Sequence, residues 1–272
     1  MQVRFWGVRG SIAVSGERFA DTGGNTTCVE VNYGGHRLVL DGGTGLRALG
    51  EYIGFRPITA TLLFTHVHWD HIQGVPFFTP AFHPDSDLHL VGVRRDSGTL
   101  RDALARQMTP PGFPVGLSAL VGARRFEDVE GRQPFDLGPF HVIPLEQDHP
   151  DGVVAYRIEA GDRALVFATD VEHRDGVDRR LVELSEGADL LVHDAQYTHQ
   201  EYEGEGGPAR VGWGHSTWRD AVDVARQGSV GQLALFHHDP TRHDLGISAI
   251  ERAAQADFPG AFAAREGLAV AL

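Results

Sequence analysis

The sequence predicts an α/β (α+β) fold in which sheets pack inside and helices cover them outside. Short runs rich in Val, Leu and Phe alternate with single amphipathic segments, and they do so in two successive halves. Glycine is abundant, 34 of 272 residues, as many tight turns between short strands require. The chain is 42% hydrophobic and has no Ser/Gly tract, Pro-rich run or like-charge block in its middle, so residues 1–272 read as a single domain.

The elements follow in order. Residues 3–6, 28–33 and 37–40 alternate as antiparallel strands do, and Gly34-Gly35 between the last two signals a hairpin. Asp41-Gly42-Gly43-Thr44-Gly45 lacks the spacing and lysine of a phosphate-binding loop, so it reads as a tight turn into a helix over 46–53. Strands are expected at 60–65 and 88–93, and a helix at 100–108. The Pro- and Gly-rich stretch 109–116 reads as a loop near the mouth of the site. Strands at 140–143, 153–158 and 164–168, a helix at 177–185 and a strand at 189–193 come next. Ser216 or Thr217 caps a helix whose apolar stripe is Trp218, Ala221, Val222 and Ala225. A strand at 232–236 and a closing helix at 247–256 complete the pattern.

Charge and cysteine content restrict function. A net charge of −13 argues against a general nucleic-acid binder, because phosphate contacts need clustered Lys and Arg. A small anionic substrate stays compatible, since a bound divalent metal inverts the local field. Cys28 is the sole cysteine, so there is neither an intrachain disulfide nor a Cys₄ metal site. The first residues lack the apolar core of a signal peptide, and no apolar run approaches membrane-spanning length. The expectation is a cytoplasmic protein with no membrane partner.

The chemistry concentrates in Thr65-His66-Val67-His68-Trp69-Asp70-His71, which puts four metal-capable side chains directly after a predicted strand. That mixture of nitrogen and oxygen donors suits Zn²⁺, with Mn²⁺ or Fe as rivals. Later donors also sit at strand ends: His149 after 145–148, Asp170 after 165–169 and His237 after 232–236. Several strands thus terminate in a ligand at what would be one sheet edge. Arg9, Ser11 and Asn25 lie in glycine-rich turns and read as surface turn residues, outside the site. His83, His89, His141, His173, His193, His199 and His243 carry no spacing argument and read as ordinary surface or core residues.

His66-x-His68-x-Asp70-His71 followed by His149, Asp170 and His237 resembles the full ligand set of the metallo-β-lactamase superfamily, in order and in placement. The resemblance implies that family's four-layer αβ/βα sandwich, two mixed sheets flanked by helices, and two divalent metal ions, Zn or Mn. By it, His66, His68 and His149 hold one ion, Asp70, His71 and His237 the other, and Asp170 bridges them. His238 is the neighbouring alternative to His237, and Asp41 corresponds to a structural aspartate.

Two further segments, 188–195 with His193-Asp194 and Gly214-His215-Ser216-Thr217, resemble paired motifs of the phosphodiesterase branch, which includes ribonuclease Z and cyclic-phosphate phosphodiesterases. The likeness implies a metal-bridging hydroxide as nucleophile and His215 as proton donor to the leaving oxygen. Asp194 would orient His215, with Asp70 also counted among the catalytic groups. The Asp194 carboxylate should raise the His215 pKa and outweigh the opposing helix start if the two hydrogen-bond. Ribonuclease Z inserts a long tRNA-gripping arm between the residues matching His149 and Asp170, whereas here only 21 residues span that step. The expected substrate is therefore a small phosphodiester such as a cyclic nucleotide or cyclic phosphate, without stable nucleic-acid binding. A homodimer is compatible with the resemblance. A glyoxalase-II-like thioesterase or a lactonase shares the ligand run but not the Asp194/His215 pair, and a ribonuclease Z-like RNA 3′-end nuclease is the remaining alternative.

Overall fold

Neighbouring residues of one strand serve two different apolar layers. In the computed structural model, which describes residues Met1–Leu272, the chain forms two seven-stranded sheets. The first runs β14 (Ala269–Ala271), β1 (Gln2–Gly7), β2 (Cys28–Tyr33), β3 (His36–Leu40), β4 (Thr59–Leu63), β5 (Asp87–Val93), β6 (Ala123–Val129). The second runs β13 (Ala261–Ala263), β12 (Gln232–Phe236), β11 (Leu190–Asp194), β10 (Arg163–Ala168), β9 (Val153–Ala160), β8 (Phe140–Gln147), β7 (Phe135–Leu137). Leu38 and Leu40 of β3 face the other sheet, while Val39 faces outward. Leu190 and Val192 of β11 face inward, and Leu191 outward. Strands buried on both faces read as continuous apolar runs, as these do.

Helices complete two outer layers. α1 (Gly45–Ile53) and α3 (Leu100–Gln107) cover the first sheet. α4 (Arg179–Ser185), α6 (Trp218–Gln227) and α7 (Asp244–Asp257) cover the second. Between them lie the one-turn α2 (Trp69–Ile72) and the short α5 (His199–Glu203). The result is the expected α+β sandwich of two mixed sheets flanked by helices. No helix is long and apolar enough to cross a membrane.

Local signals explain most boundaries. Gly34 and Gly35 both have positive φ, 56° and 80°, as a two-residue hairpin turn between β2 and β3 requires. Thr217, rather than Ser216, caps α6: its hydroxyl accepts from the Asp220 amide, and the Asp220 side chain accepts from the Thr217 amide. The amides of Gly42, Gly43 and Gly45 all donate to protein carbonyls, so that turn has no free donors for an anion.

Three expectations need correction, and one strand, β6, was not expected. The helix at the end is not the last element, because β13 and β14 follow it and add one strand to each sheet. β6 had no apolar signal, since an edge strand reading Ala-Arg-Arg-Phe-Glu-Asp-Val is largely exposed. The 109–116 loop does not line either cavity adjoining the site histidines, and its Phe113 packs edge-on against Phe77. Arg9 is fully buried and no surface turn residue: it donates to the carbonyls of Gly23, Asp239 and Arg242 and faces Asp244.

The topology decides where the site forms. β3 and β4 run parallel, as do β10, β11 and β12, so their carboxyl ends share one edge. β8 and β10 both pair antiparallel with β9 and therefore point the same way. Asp41, the His66 run, His149, Asp170 and His237 all follow the carboxyl ends of these strands, and Asp194 is the last residue of β11.

Candidate metal centre

Seven of the nine candidate side chains converge into two donor groups. His66, His68 and His149 form one, and Asp70, His71, Asp170 and His237 the other, with the donor atoms of each group within 4.8 Å of one another. Asp170 faces both. Its Oδ2 lies 3.8 Å from Nε2 of His66 and of His149, while its Oδ1 lies 3.3 Å from His71 Nε2 and 3.2 Å from His237 Nε2. Asp70 Oδ2 lies 3.3 Å from His71 Nε2 and 3.1 Å from His237 Nε2. His238 turns away and binds the Ala264 carbonyl, so of the two neighbours His237 is the one in the cluster.

Outer partners fix which ring nitrogen three of the histidines present. His71 Nδ1 is 2.8 Å from Asp41, His149 Nδ1 is 2.8 Å from the Gly214 carbonyl, and His237 Nδ1 is 2.8 Å from Gln196 Oε1. Each partner is an acceptor, so Nδ1 carries the proton and Nε2 offers its lone pair inward. Asp41 also accepts from the amide and hydroxyl of Thr65, which matches its expected supporting role.

The donor set fits divalent metal. His66 Nε2 and His71 Nε2, one in each group, are buried without a hydrogen-bond partner. An orphaned buried nitrogen is costly unless something else takes its lone pair. Electrostatics agree. Burial alone would depress the His71 pKa, but the carboxylates of Asp170, Asp70 and Asp41 hold it well above its ordinary value. Asp170 is buried yet held well below the usual carboxylate range by His237, His71 and His66. A site that attracts protons this strongly attracts a dication by the same field.

The backbone is bent to reach this arrangement. Asp41, Asp170 and His237 have φ near 60° (60°, 56° and 56°), a left-handed conformation that costs non-glycine residues about 1–3 kcal/mol each. Gly10 lets the chain pass against His237, since a Cβ there would lie 2.4 Å from the ring. Gly214 combines a φ of 86° with a virtual Cβ only 2.1 Å from His149 Nδ1.

The other two candidates form a pair beside the cluster. His215 Nδ1 is 2.8 Å from Asp194 Oδ2, and a His215 ring nitrogen lies within 4.8 Å of donor atoms of His149 and Asp170. Asp194 is fully buried and also accepts from the amides of Asp170, Gln196 and Ser216. Burial opposes the charged form of His215, yet Asp194, with Asp170 and Asp70 behind it, pushes its pKa up to about 9.

Sequence reasoning missed three supports. Gln196 orients His237, the Ser11 amide donates to Asp70 Oδ2, and Glu172 holds the loop that carries His215. Glu172 sits two residues past Asp170, and position was its only signal.

A family model for the beta-lactamase superfamily domain matches residues 36–238, a span that includes every one of these donors. The chain belongs to the beta-lactamase superfamily. Among curated members, ribonuclease Z of Haloarcula marismortui is 26% identical, covering 87% of this chain and 86% of its own length. Ribonuclease Z of Haloferax volcanii is 28% identical, covering 76% of this chain and 77% of its own. The Haloarcula alignment runs over 288 positions, more than this chain contains, so that relative has segments absent here. Among solved structures, the metallo-beta-lactamase fold protein YhfI from Bacillus subtilis superposes with a TM-score of 0.75 at 20% identity, over 99% of this chain and 98% of its own. A diphosphatase from the PhnP family gives 0.71 at 18%, over 100% and 97%. Zn²⁺-bound PqqB from Methylobacterium extorquens gives 0.72 at 16%, over 100% of both chains. At such identities these neighbours speak for the fold. With its histidine and aspartate clusters, this superfamily member is a metal-dependent hydrolase.

Proposed function

We propose that this protein is a dinuclear phosphodiesterase acting on a small phosphodiester, with cyclic nucleotides and other cyclic phosphates as the leading class. His66, His68 and His149 would hold one ion and Asp70, His71 and His237 the other, with Asp170 between them, and Zn²⁺ or Mn²⁺ suits these donors. When bound, such a pair supplies charge for the phosphoryl oxygens and an activated water at neutral pH. Hydrolysis forms one P–O bond from water and breaks another, and the departing oxygen needs a proton. His215 supplies it: Asp194 engages Nδ1, which leaves the proton on Nε2 for transfer. Asp194 holds the ring rather than reacting itself, since its four hydrogen bonds fix it in place. We read residues 1–272 as one domain carrying this site.

The observation that carries the reading is the Asp194–His215 pair set against both donor groups. A thioesterase or lactonase has no evident use for it. The ribonuclease Z relatives favour a second reading, cleavage at RNA 3′ ends. The short His149–Asp170 step, which holds only β9, β10 and their turns, weighs against it.

Metal-loaded protein should hydrolyse bis(p-nitrophenyl) phosphate with added Zn²⁺ or Mn²⁺ and leave a simple thioester intact. A panel of cyclic mononucleotides, cyclic dinucleotides and unprocessed tRNA then separates the two readings. Thioester turnover without phosphodiester turnover would overturn the proposal, and tRNA as the only natural substrate would replace it with the nuclease.

A further inference from the structure

His215 opens into a cavity of about 370 Å³, a volume within the range of small-molecule sites, whose wall also includes Ser11, Gln196, Tyr197 and Trp213. That wall is built onto the donor groups. The Ser11 amide donates to Asp70 Oδ2 at 2.7 Å, and Gln196 Oε1 is 2.8 Å from His237 Nδ1. The His215 ring centroid lies 5.0 Å from that of His237 and 5.3 Å from that of His149. A second cavity, beside His66 and His68, does not include His215. The departing oxygen takes its proton from His215, so the group attached to that oxygen occupies the first cavity.

The charges in this wall are already paired. Arg210 Nη1 is 3.0 Å from Asp239 Oδ2, and the other Asp239 oxygen accepts from the amide and hydroxyl of Thr241. The Arg210 guanidinium also lies 4.7 Å from the Tyr197 ring centroid, which covers an aromatic ring that is itself buried. A second anionic group would find no unpaired cation there.

Trp213 is the aromatic face left over. It is 52% exposed although it stands two residues from the proton donor. Its backbone is nevertheless pinned on both sides. The amides of Gly212 and Gly214 donate to Glu172, the Trp213 amide donates to the Arg210 carbonyl, and the Gly214 carbonyl is 2.8 Å from His149 Nδ1. An indole carried on a fixed backbone and left uncovered beside the reacting atoms is a platform for a flat ring. Stacking of a nucleobase on such a side chain is worth about 5–150-fold in affinity.

We propose that the group bearing the departing oxygen carries a neutral planar ring, a nucleobase, and that Trp213 stacks on it and so sets specificity. This rests on the phosphodiesterase reading and narrows its substrate class to nucleotides over phosphates of bare sugars.

The test uses adenosine 5′-monophosphate, the product left when the 3′ oxygen of 3′,5′-cyclic adenosine monophosphate departs, and ribose 5-phosphate, which lacks the base. Calorimetry on Zn²⁺-loaded protein should find the nucleotide bound at least tenfold tighter than the sugar phosphate. That advantage should fall below threefold in Trp213→Ala, an exposed change that spares the core, and should largely return in Trp213→Phe. Equal affinities in the parent protein, or an advantage that Trp213→Ala retains, would overturn the proposal. Absence of phosphodiester turnover would instead sink the catalytic reading, and the calorimetry would still report on Trp213.

Discussion

At the residue scale the site is a set of paired commitments, with His71, His149, His237 and His215 each oriented by a partner outside the two donor groups. His215 is the clearest case, since Asp194 takes one nitrogen and leaves the other to act. His215→Ala should lower kcat about 10²–10⁴-fold on diesters with alkoxide leaving groups. p-Nitrophenyl diesters should lose far less, because that leaving group departs without a proton, and metal content should hold. Steady-state kinetics on both substrate types with metal analysis checks this, and equal losses would remove the general acid. A second pair lies deeper. The Asp178 amide donates to His173 Nδ1, His173 Nε2 is 3.3 Å from His193 Nε2, and His193 Nδ1 donates to the Asp194 carbonyl. This chain works only with both rings neutral, and burial pushes each pKa down to about 4. In the unfolded chain both histidines titrate near their ordinary value of about 6.5. Below that pH the unfolded state takes up protons the folded state refuses, so the stability from this pair is complete above about 6.5 and is lost toward pH 4. Urea midpoints measured from pH 7.5 down to 4.5 should fall steadily, and His193→Asn should flatten that slope relative to the parent, whatever its absolute stability.

At the element scale, what was legible depended on whether a residue's own neighbours in sequence set its place. β2 and β12 could be read to their ends because Cys28–Tyr33 alternates as an antiparallel strand does and Leu233–Phe236 is apolar, each bounded by turn residues. The His66 run, His149, Asp170 and His237 were legible as strand-end donors, and parallel strands brought those ends together. β13 and β14 were not, because three-residue strands at Ala261–Ala263 and Ala269–Ala271 are defined by the sheet edge they join and have no pattern of their own. Arg9 was misread for the same reason: its burial depends on carbonyls more than 200 positions away. Glu172 illustrates how such supports act. It accepts from the Tyr202 hydroxyl and from the amides of Gly212 and Gly214, so it ties the end of β10 to the loop before α6. Gly214 in turn holds His149, and His215 follows it directly. Glu172→Gln replaces one acceptor oxygen by an amide that must face an N–H donor. The loop should shift, and metal affinity or activity should drop about 10–100-fold, the usual cost of losing such an outer partner. Zinc titration of the variant checks it, and unchanged affinity with unchanged kcat/KM would show that the loop is held by other means.

At the scale of the whole molecule, the donors come from both sheets: His66, His68, Asp70 and His71 follow β4 of the first, and His149, Asp170 and His237 follow strands of the second. The sheets already share an apolar interior containing Phe5, Leu38, Tyr156 and Phe236, so the fold does not depend on the cluster to exist. The cluster is nevertheless a place where the interface opposes itself, because four buried aspartates (Asp41, Asp70, Asp170 and Asp194) gather in a protein whose net charge is −13. A dication taken up there joins the two sheets and relieves that repulsion together. Because it binds the folded chain alone, free metal at about 100 times its Kd should stabilise by about 2.7 kcal/mol per site. For a chain of this length that corresponds to a rise in Tm of several degrees. Calorimetric scans of EDTA-stripped protein, repeated across a Zn²⁺ series, should show Tm climbing with metal concentration and returning to its starting value on chelation. His66→Ala and His237→Ala, which remove one donor from each group, should each flatten the climb. A Tm indifferent to metal in the parent protein would mean that the two groups, close as they are, do not hold an ion between the sheets.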